Sequence, residues 1–212
     1  MSKDLGNYRK SYLKGVLNEK DLPLDPLELF NSWFSNVDSK KSEIEPNAMS
    51  LSTICLDGYP KTRVVLLKKI TKKGLIFFTN YKSVKGVSIN KNSKVCLSFF
   101  WSSLEQQVII MGDASKISEK ESTDYFNSRP IGSKIGAIIS DQSKIIPSRK
   151  FIENKYEKLS KQKNDYQRPK NWGGFIVEPI SYEFWQGRDN RLHDRILYER
   201  DGKSWNYKRL SP

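Results

Sequence analysis

Trp185-Gln186-Gly187-Arg188-Asp189-Asn190-Arg191-Leu192-His193-Asp194-Arg195 places the single histidine of the chain among three arginines and a tryptophan. That set of side chains suits an anionic, aromatic ligand. Arginine presents planar, paired donors to phosphate or phenolate oxygens, tryptophan a stacking face, and histidine the one side chain that titrates near neutrality. Taken alone, the stretch reads more readily as a solvated surface loop, so other parts of the chain must decide.

Two further sets bear on the question. Arg63 and Lys68 flank the apolar run Val64-Val65-Leu66-Leu67. A separation of five sends them to opposite faces of a strand unless a bulge intervenes, so they either serve different anions or simply reach solvent around a core strand. Tyr125 and Arg129, four apart, share a helix face with Ser133 just beyond Pro130, and form either a phosphate cradle or an ordinary exposed face. Other routes to catalysis are closed: there is no G-x-S-x-G, H-E-x-x-H, P-loop or G-x-G-x-x-G pattern, and one histidine makes no histidine-rich metal centre. Organic cofactor chemistry remains, because such a cofactor brings its own reactivity and asks the protein for anchoring, orientation and electrostatics.

The elements that must position these residues follow from pattern. Asp25-Pro26-Leu27-Glu28 predicts a helix start, with Leu27, Phe30, Trp33, Phe34 and Val37 on one apolar face. Met49 to Leu56, an Asp57-Gly58 turn and Thr62 to Ile70 predict a hairpin. Strands are expected over Leu75 to Thr79, Val95 to Trp101 and Gln107 to Ile117, with a helix over Val84 to Asn90. Ser118-Glu119-Lys120-Glu121 is a capping box for a helix ending before Pro130, and Ser148 to Lys163 reads as an amphipathic helix. Lys163 to Lys170 reads as a polar loop. Strands return at Gly174 to Val177, Ile180 to Trp185, Arg195 to Glu199 and Trp205 to Arg209, leaving Gln186 to Asp194 as a connection at a barrel rim. This density of short strands predicts a closed or half-closed antiparallel barrel.

At 212 residues, 37% apolar, the chain suits one domain with a substantial core. No apolar run reaches the roughly 20 residues of a membrane span, and the polar start lacks a signal-peptide core, so a cytoplasmic protein is expected. Cys55 and Cys96 lie in apolar runs without metal-ligand spacing and are expected as buried thiols. The net charge of +13 invites a nucleic-acid reading. The lysines are scattered, however, and no nucleic-acid-binding signature is present, so a solvated lysine-rich surface is preferred.

Seven motifs in order resemble the pyridoxamine 5'-phosphate oxidase family: Arg63-Val64-Val65-Leu66-Leu67-Lys68, Phe77-Phe78-Thr79-Asn80, Glu105-Gln106-Gln107-Val108, Tyr125-Phe126-Asn127-Ser128-Arg129-Pro130, Gln142-Ser143, Phe184-Trp185-Gln186-Gly187 and Arg191-Leu192-His193-Asp194-Arg195. The likeness runs from about Arg9 to the terminal Arg209-Leu210-Ser211-Pro212. It implies a mainly β fold with helices, an FMN-binding split β-barrel of antiparallel Greek-key type over residues 21–212, preceded by a mobile N-terminal lid at 1–20. It also implies a homodimer with two FMN sites at the subunit interface.

By the same resemblance, Arg63, Lys85 and Ser143 hold the FMN phosphate. Lys68, Gln107, Gln142, Trp185 and Arg195 line the flavin and ribityl chain, with backbone groups of Val64, Val65, Leu66, Leu67, Phe78 and Thr79. Lys68, Tyr125, Arg129 and Ser133 take the substrate phosphate; Arg191, Leu192 and His193 meet the pyridine ring; Arg9, Lys10, Ser11 and Tyr12 close as a lid. The implied reaction oxidises pyridoxamine or pyridoxine 5'-phosphate to pyridoxal 5'-phosphate, with oxygen as acceptor and hydrogen peroxide as product. Arg191 is the expected catalytic cation beside the pyridine hydroxyl, and His193 a positioning or charge-tuning group. No metal, membrane or nucleic acid enters. Val84 departs from the family, which often carries a basic residue there, so one phosphate contact is missing or comes from Lys82; Glu45 stands where aspartate is commoner. A flavin-binding split barrel without this activity and a basic nucleic-acid-binding module are the readings from other classes.

Overall fold

The first helix shows how local sequence sets up the core. Asp25 caps it by accepting the Leu27 amide at 2.9 Å, Pro26 takes the first helical position, and α1 runs Pro26–Ser39. Its apolar face buries Leu29, Phe30, Trp33 and Val37. Phe30 meets Phe99 edge-on at 5.2 Å and Trp33 meets Phe184 at 5.3 Å, the offset geometry that aromatic quadrupoles favour. Leu27 and Phe34 are half-buried at the edge of that face.

The remaining elements, in a computed structural model that describes residues 2–8, 10–162 and 165–212, are mostly strands. They are β1 Ala48–Ile54, β2 Pro60–Ile70, β3 Leu75–Asn80, α2 Val84–Lys91, β4 Lys94–Trp101, β5 Gln106–Lys116, α3 Glu119–Ser128, α4 Ile131–Ile139, α5 Arg149–Ser160, β6 Trp172–Gln186, β7 Asp194–Asp201 and β8 Ser204–Leu210. The sheet order is β3-β2-β1-β4-β5-β6-β7-β8, and β3 also pairs with β6, which closes the first six strands into a barrel. β4 follows β3 in sequence but lies beside β1, the crossover of a Greek key. The expected fold class is observed. Among the described residues no helix is long and apolar enough to cross a membrane.

The chain divides into two compact units. One comprises residues 1–50, 97–111 and 179–212, the other 51–96 and 112–178. In the first, aromatic residues dominate the core: Phe30, Trp101, Tyr182, Phe184 and Tyr198 are almost wholly buried. In the second, Leu75, Phe77, Phe126, Phe175 and Val177 play that part.

Several sequence expectations are corrected. The first strand stops at Ile54, because the turn begins with Cys55 pairing with Tyr59 and Gly58 adopts φ +84°, a left-handed value that glycine adopts freely. The two strands expected around Pro179 are one 15-residue strand. Residues 172–177 pair with β3 and 181–186 with β7, so the proline falls between the two registers, where it breaks neither ladder. Helix α4 was not expected, its pattern being diluted by Gly132 and Gly136. Helix α5 is shorter than predicted, ending at Ser160, and Lys163 and Asn164 lie outside the described residues. Arg129 is not on the helix with Tyr125: it caps α3 in an extended conformation (ψ 149°), as a residue preceding proline must. Both cysteines are half-buried, and burial raises the Cys96 thiol pKa.

Candidate active site

In the second unit, a β-bulge decides where Lys68 goes. Leu67 pairs with Phe77 and Lys69 with Ile76, so Lys68 is the extra residue in β2, turned out of the alternation that buries Leu67. The bulge delivers it to a cleft of about 460 Å³ that Val64, Val65, Leu66, Phe78, Thr79, Tyr125, Ser133 and Gln142 also line. The cleft holds three cations, Lys68, Lys85 and Arg129, and no carboxylate.

Lys85 arrives on the first turn of α2. Ser83 caps that helix through the Gly86 amide at 3.3 Å, and a methyl at Gly86 would overlap the Tyr81 carbonyl, so the helix start is fixed by close approach. Only 7% exposed, the Lys85 ammonium donates to Thr79 Oγ1 at 3.3 Å, and its pKa falls to about 8, first through burial and then through repulsion from Arg63. Arg63 itself donates to Leu51 O at 3.0 Å and Thr53 Oγ1 at 2.8 Å, outside the cleft lining, and burial lowers its pKa. The Arg129 guanidinium lies 4.6 Å over the Trp172 ring, its pKa lowered by burial, and its Nη1 is buried without a hydrogen-bond partner. Tyr125 stacks on Phe78 at 3.8 Å, beside Trp172. Two cations made less basic by burial, an orphaned guanidinium nitrogen and an aromatic floor fit a phosphate on an aromatic ligand.

Gln142 Oε1 accepts from Thr79 Oγ1 at 3.1 Å at the edge of this cleft. Ser143, at φ +72°, lines an adjoining hollow of about 400 Å³ with Lys61, Lys82, Val84 and Lys144. Lys82 and Val84 line the same hollow.

The first unit has its own cleft, about 640 Å³, lined by Tyr8, Lys10, Ser11, Tyr12, Trp185, Arg188, Asp189, Asn190, Arg191 and His193. Arg188, Asp189, Asn190, Arg191 and His193 lie in the loop between β6 and β7, and Trp185 ends β6. Asn190 (φ 52°) and Arg191 (φ 62°) are consecutive left-handed residues, a conformation costing roughly 1 kcal/mol each outside glycine. His193 Nδ1 accepts the Arg188 amide at 3.1 Å, which assigns its proton to Nε2 as a donor. Burial and then the nearby Arg191 charge lower the His193 pKa, in keeping with a neutral ring. That ring lies 4.7 Å from Trp185, and Tyr12 packs on both, at 5.7 Å from Trp185 and 5.8 Å from His193.

The three arginines of this motif divide. Arg188 is paired with Asp194 at 2.8 Å; Arg195 is held by Glu183 at 2.8 Å and the Ser211 carbonyl at 2.9 Å, and does not line the cleft. Arg191 alone of the three has no carboxylate partner among the described residues. Leu192 lines a neighbouring hollow, Leu67 is in the core, and Gln107 donates to Ser98 Oγ at 3.2 Å away from both clefts. Arg9 lies outside the described residues.

Residues 172–212 match the family described as the pyridoxine 5'-phosphate oxidase C-terminal dimerisation region, and residues 39–163 that described as pyridoxamine 5'-phosphate oxidase. The chain belongs to the pyridoxine/pyridoxamine 5'-phosphate oxidase family of enzymes. Relatives of that name are 53% identical in Christiangramia forsetii, over the whole of both chains, and 56% identical in Flavobacterium johnsoniae, over 98% of this chain and 99% of the relative. Among solved structures, PhzG from Burkholderia lata, in complex with tetrahydrophenazine-1-carboxylic acid, is 30% identical and superposes with a TM-score of 0.87, covering 93% of this chain and 98% of its own.

The cleft residues given no site role from sequence are Asn80, Gly136, Ala137, Ser140 and Trp172 in one unit and Tyr8, Arg188, Asp189 and Asn190 in the other. Arg188, Asp189 and Asn190 lie within the stretch that carries Arg191 and His193. Trp172 carried a weaker signal: an aromatic residue directly before Gly173-Gly174, where β6 opens against β3.

Proposed function

We propose that the protein is an FMN-dependent oxidase that converts pyridoxamine 5'-phosphate or pyridoxine 5'-phosphate to pyridoxal 5'-phosphate. The alcohol and oxygen give aldehyde and hydrogen peroxide; the amine, oxygen and water give aldehyde, ammonia and hydrogen peroxide. FMN, when bound, supplies the acceptor for the substrate's two electrons and passes them to oxygen. The observation that carries the reading is the cleft with three cations, no carboxylate and a buried, unpartnered Arg129 Nη1, in a chain of this family.

Arg63, Lys85 and Ser143 are assigned to the FMN phosphate, and Lys68, Gln107, Gln142, Trp185 and Arg195, with backbone of residues 64–67, 78 and 79, to the flavin and ribityl chain. The depressed pKa of Lys85 supports that assignment, since an arriving dianion relieves its repulsion from Arg63. Lys68, Tyr125, Arg129 and Ser133 bind the substrate phosphate. Arg191 steadies negative charge at the pyridine hydroxyl, for which its lack of a carboxylate partner leaves it available, and neutral His193 offers Nε2–H to orient the ring. Lys10, Ser11 and Tyr12, with Arg9, cover the bound substrate as the N-terminal lid. The working form is a homodimer in which each FMN site draws on both chains.

The test is to mix protein, FMN, oxygen and each phosphorylated vitamer and to follow pyridoxal 5'-phosphate and peroxide. Absence of product from both vitamers sinks the reading. Arg191→Ala is expected to lower turnover about a hundredfold while FMN binding holds, and equal loss of both contradicts the role given to it.

A further inference from the structure

Glu105 sits in the turn between β4 and β5 at φ 57°, is 2% exposed, and has no part in the chemistry above. Its Oε2 accepts two backbone amides, Leu13 N at 2.7 Å and Lys14 N at 3.0 Å. Its own carbonyl accepts from Gly187 N at 2.7 Å and Gln186 Nε2 at 3.2 Å. Each end of this arrangement leads to the cleft. Leu13 follows Tyr12, whose ring packs on Trp185 and His193, and Gly187 opens the loop that carries Arg191 and His193. Gly187 also makes room for the ring, since a methyl there would lie 2.8 Å from Tyr12 Cγ.

The Lys14 ammonium goes to the Ser103 carbonyl, so the Glu105 charge is answered by the two strap amides. Hydrogen bonds to an ionised acceptor are about twice as strong as neutral ones, and a buried carboxylate that loses its donors is costly. Docking of residues 12–17 is therefore favoured by a group that gains both its donors from the docked segment. A second carboxylate, Asp194, accepts Leu17 N at 3.1 Å at the other end of the strap.

We propose that Glu105 is a positioning residue of the substrate cleft, a latch whose carboxylate docks the N-terminal strap and sets Tyr12 against Trp185 and His193, while its carbonyl fixes the start of the Arg191 loop. Its kinetic consequence rests on the oxidase reading; its effect on the strap does not. Glu105→Gln keeps size and shape while removing the charge, and Glu105→Ala removes the acceptor.

In limited trypsinolysis of the intact, FMN-loaded protein, cleavage after Lys10 and Lys14 is expected to accelerate about tenfold in the Gln variant and further in the Ala variant. KM for pyridoxine 5'-phosphate is expected to rise about tenfold with flavin retained, and Tyr12→Ala to raise KM alone but add little on top of Glu105→Gln, as for residues acting through one contact. Unchanged cleavage in both variants overturns the latch, as do Tyr12 and Glu105 effects that simply multiply, or a Gln variant that fails to fold. If the unmodified protein turns over neither vitamer, the oxidase reading fails, and the cleavage rates still decide the latch.

Discussion

Lys85 shows how one buried charge carries a pH dependence. Its pKa is depressed from 10.5 to about 8 by burial and by Arg63. A lysine with a folded pKa below its unfolded one holds its proton less tightly when folded. Its penalty is therefore largest below pH 8, and the ligand-free protein gains stability from this group as pH rises from about 8 towards 10.5. Anion binding has the opposite sense, since it needs the charged form. FMN affinity, measured by flavin fluorescence titration, is expected to fall as pH climbs through about 8. In Lys85→Met that break disappears and affinity is lower throughout, by roughly tenfold. On the function proposed above, the buried, unpartnered Nη1 of Arg129 is a donor left for a phosphate oxygen. Neither property was legible in sequence: a buried lysine and an exposed one look alike until the fold sets their surroundings. Glu105 was hidden for a related reason, since the partners of its carboxylate are backbone amides 91 and 92 residues away that no side-chain pattern announces, and the same holds for the Leu17 amide, one of the partners of Asp194, 177 residues away.

At the scale of elements, sequence chemistry was most readable where the signal is local. Helix α3 has the full capping box, with Ser118 Oγ accepting Glu121 N at 3.1 Å and the Glu121 carboxylate returning to Ser118. Ser118→Ala is expected to cost about 1 kcal/mol in urea unfolding with an unchanged m-value. Because Arg129 is the C-cap of α3, loosening the helix is also expected, on the proposed function, to lower affinity for a phosphorylated ligand. The alternating strands and the Asp25 cap were equally plain. Pattern failed where two demands overlap on one segment. Pro179 looked like a strand end because it cannot serve a ladder, yet it sits where β6 changes partner from β3 to β7. Tyr125 and Arg129 both line the cleft, although Arg129 has left the helix and arrives in an extended conformation, so shared helical spacing is not what brings them together. For the candidate site the motifs named most cleft residues, but Arg63, Gln107 and Arg195 lie outside the cleft linings in a single chain.

For the whole molecule, the C-terminal match to a dimerisation region makes assembly part of the proposed activity. Sedimentation equilibrium is expected to return twice the chain mass with one flavin per chain, and a flavin-loaded monomer would contradict the shared site. Lys68, finally, is a single residue in excess of what the β2–β3 ladder can pair. Deleting it would let Leu67 and Lys69 follow one another against Phe77 and Ile76 without interruption, so the shortened chain should melt no lower than its parent while binding phosphorylated ligands poorly. Such a protein would be a scaffold without a trade, which locates the difference between the two in one inserted amino acid and suggests where a plain barrel of this kind would need to be lengthened to acquire a site.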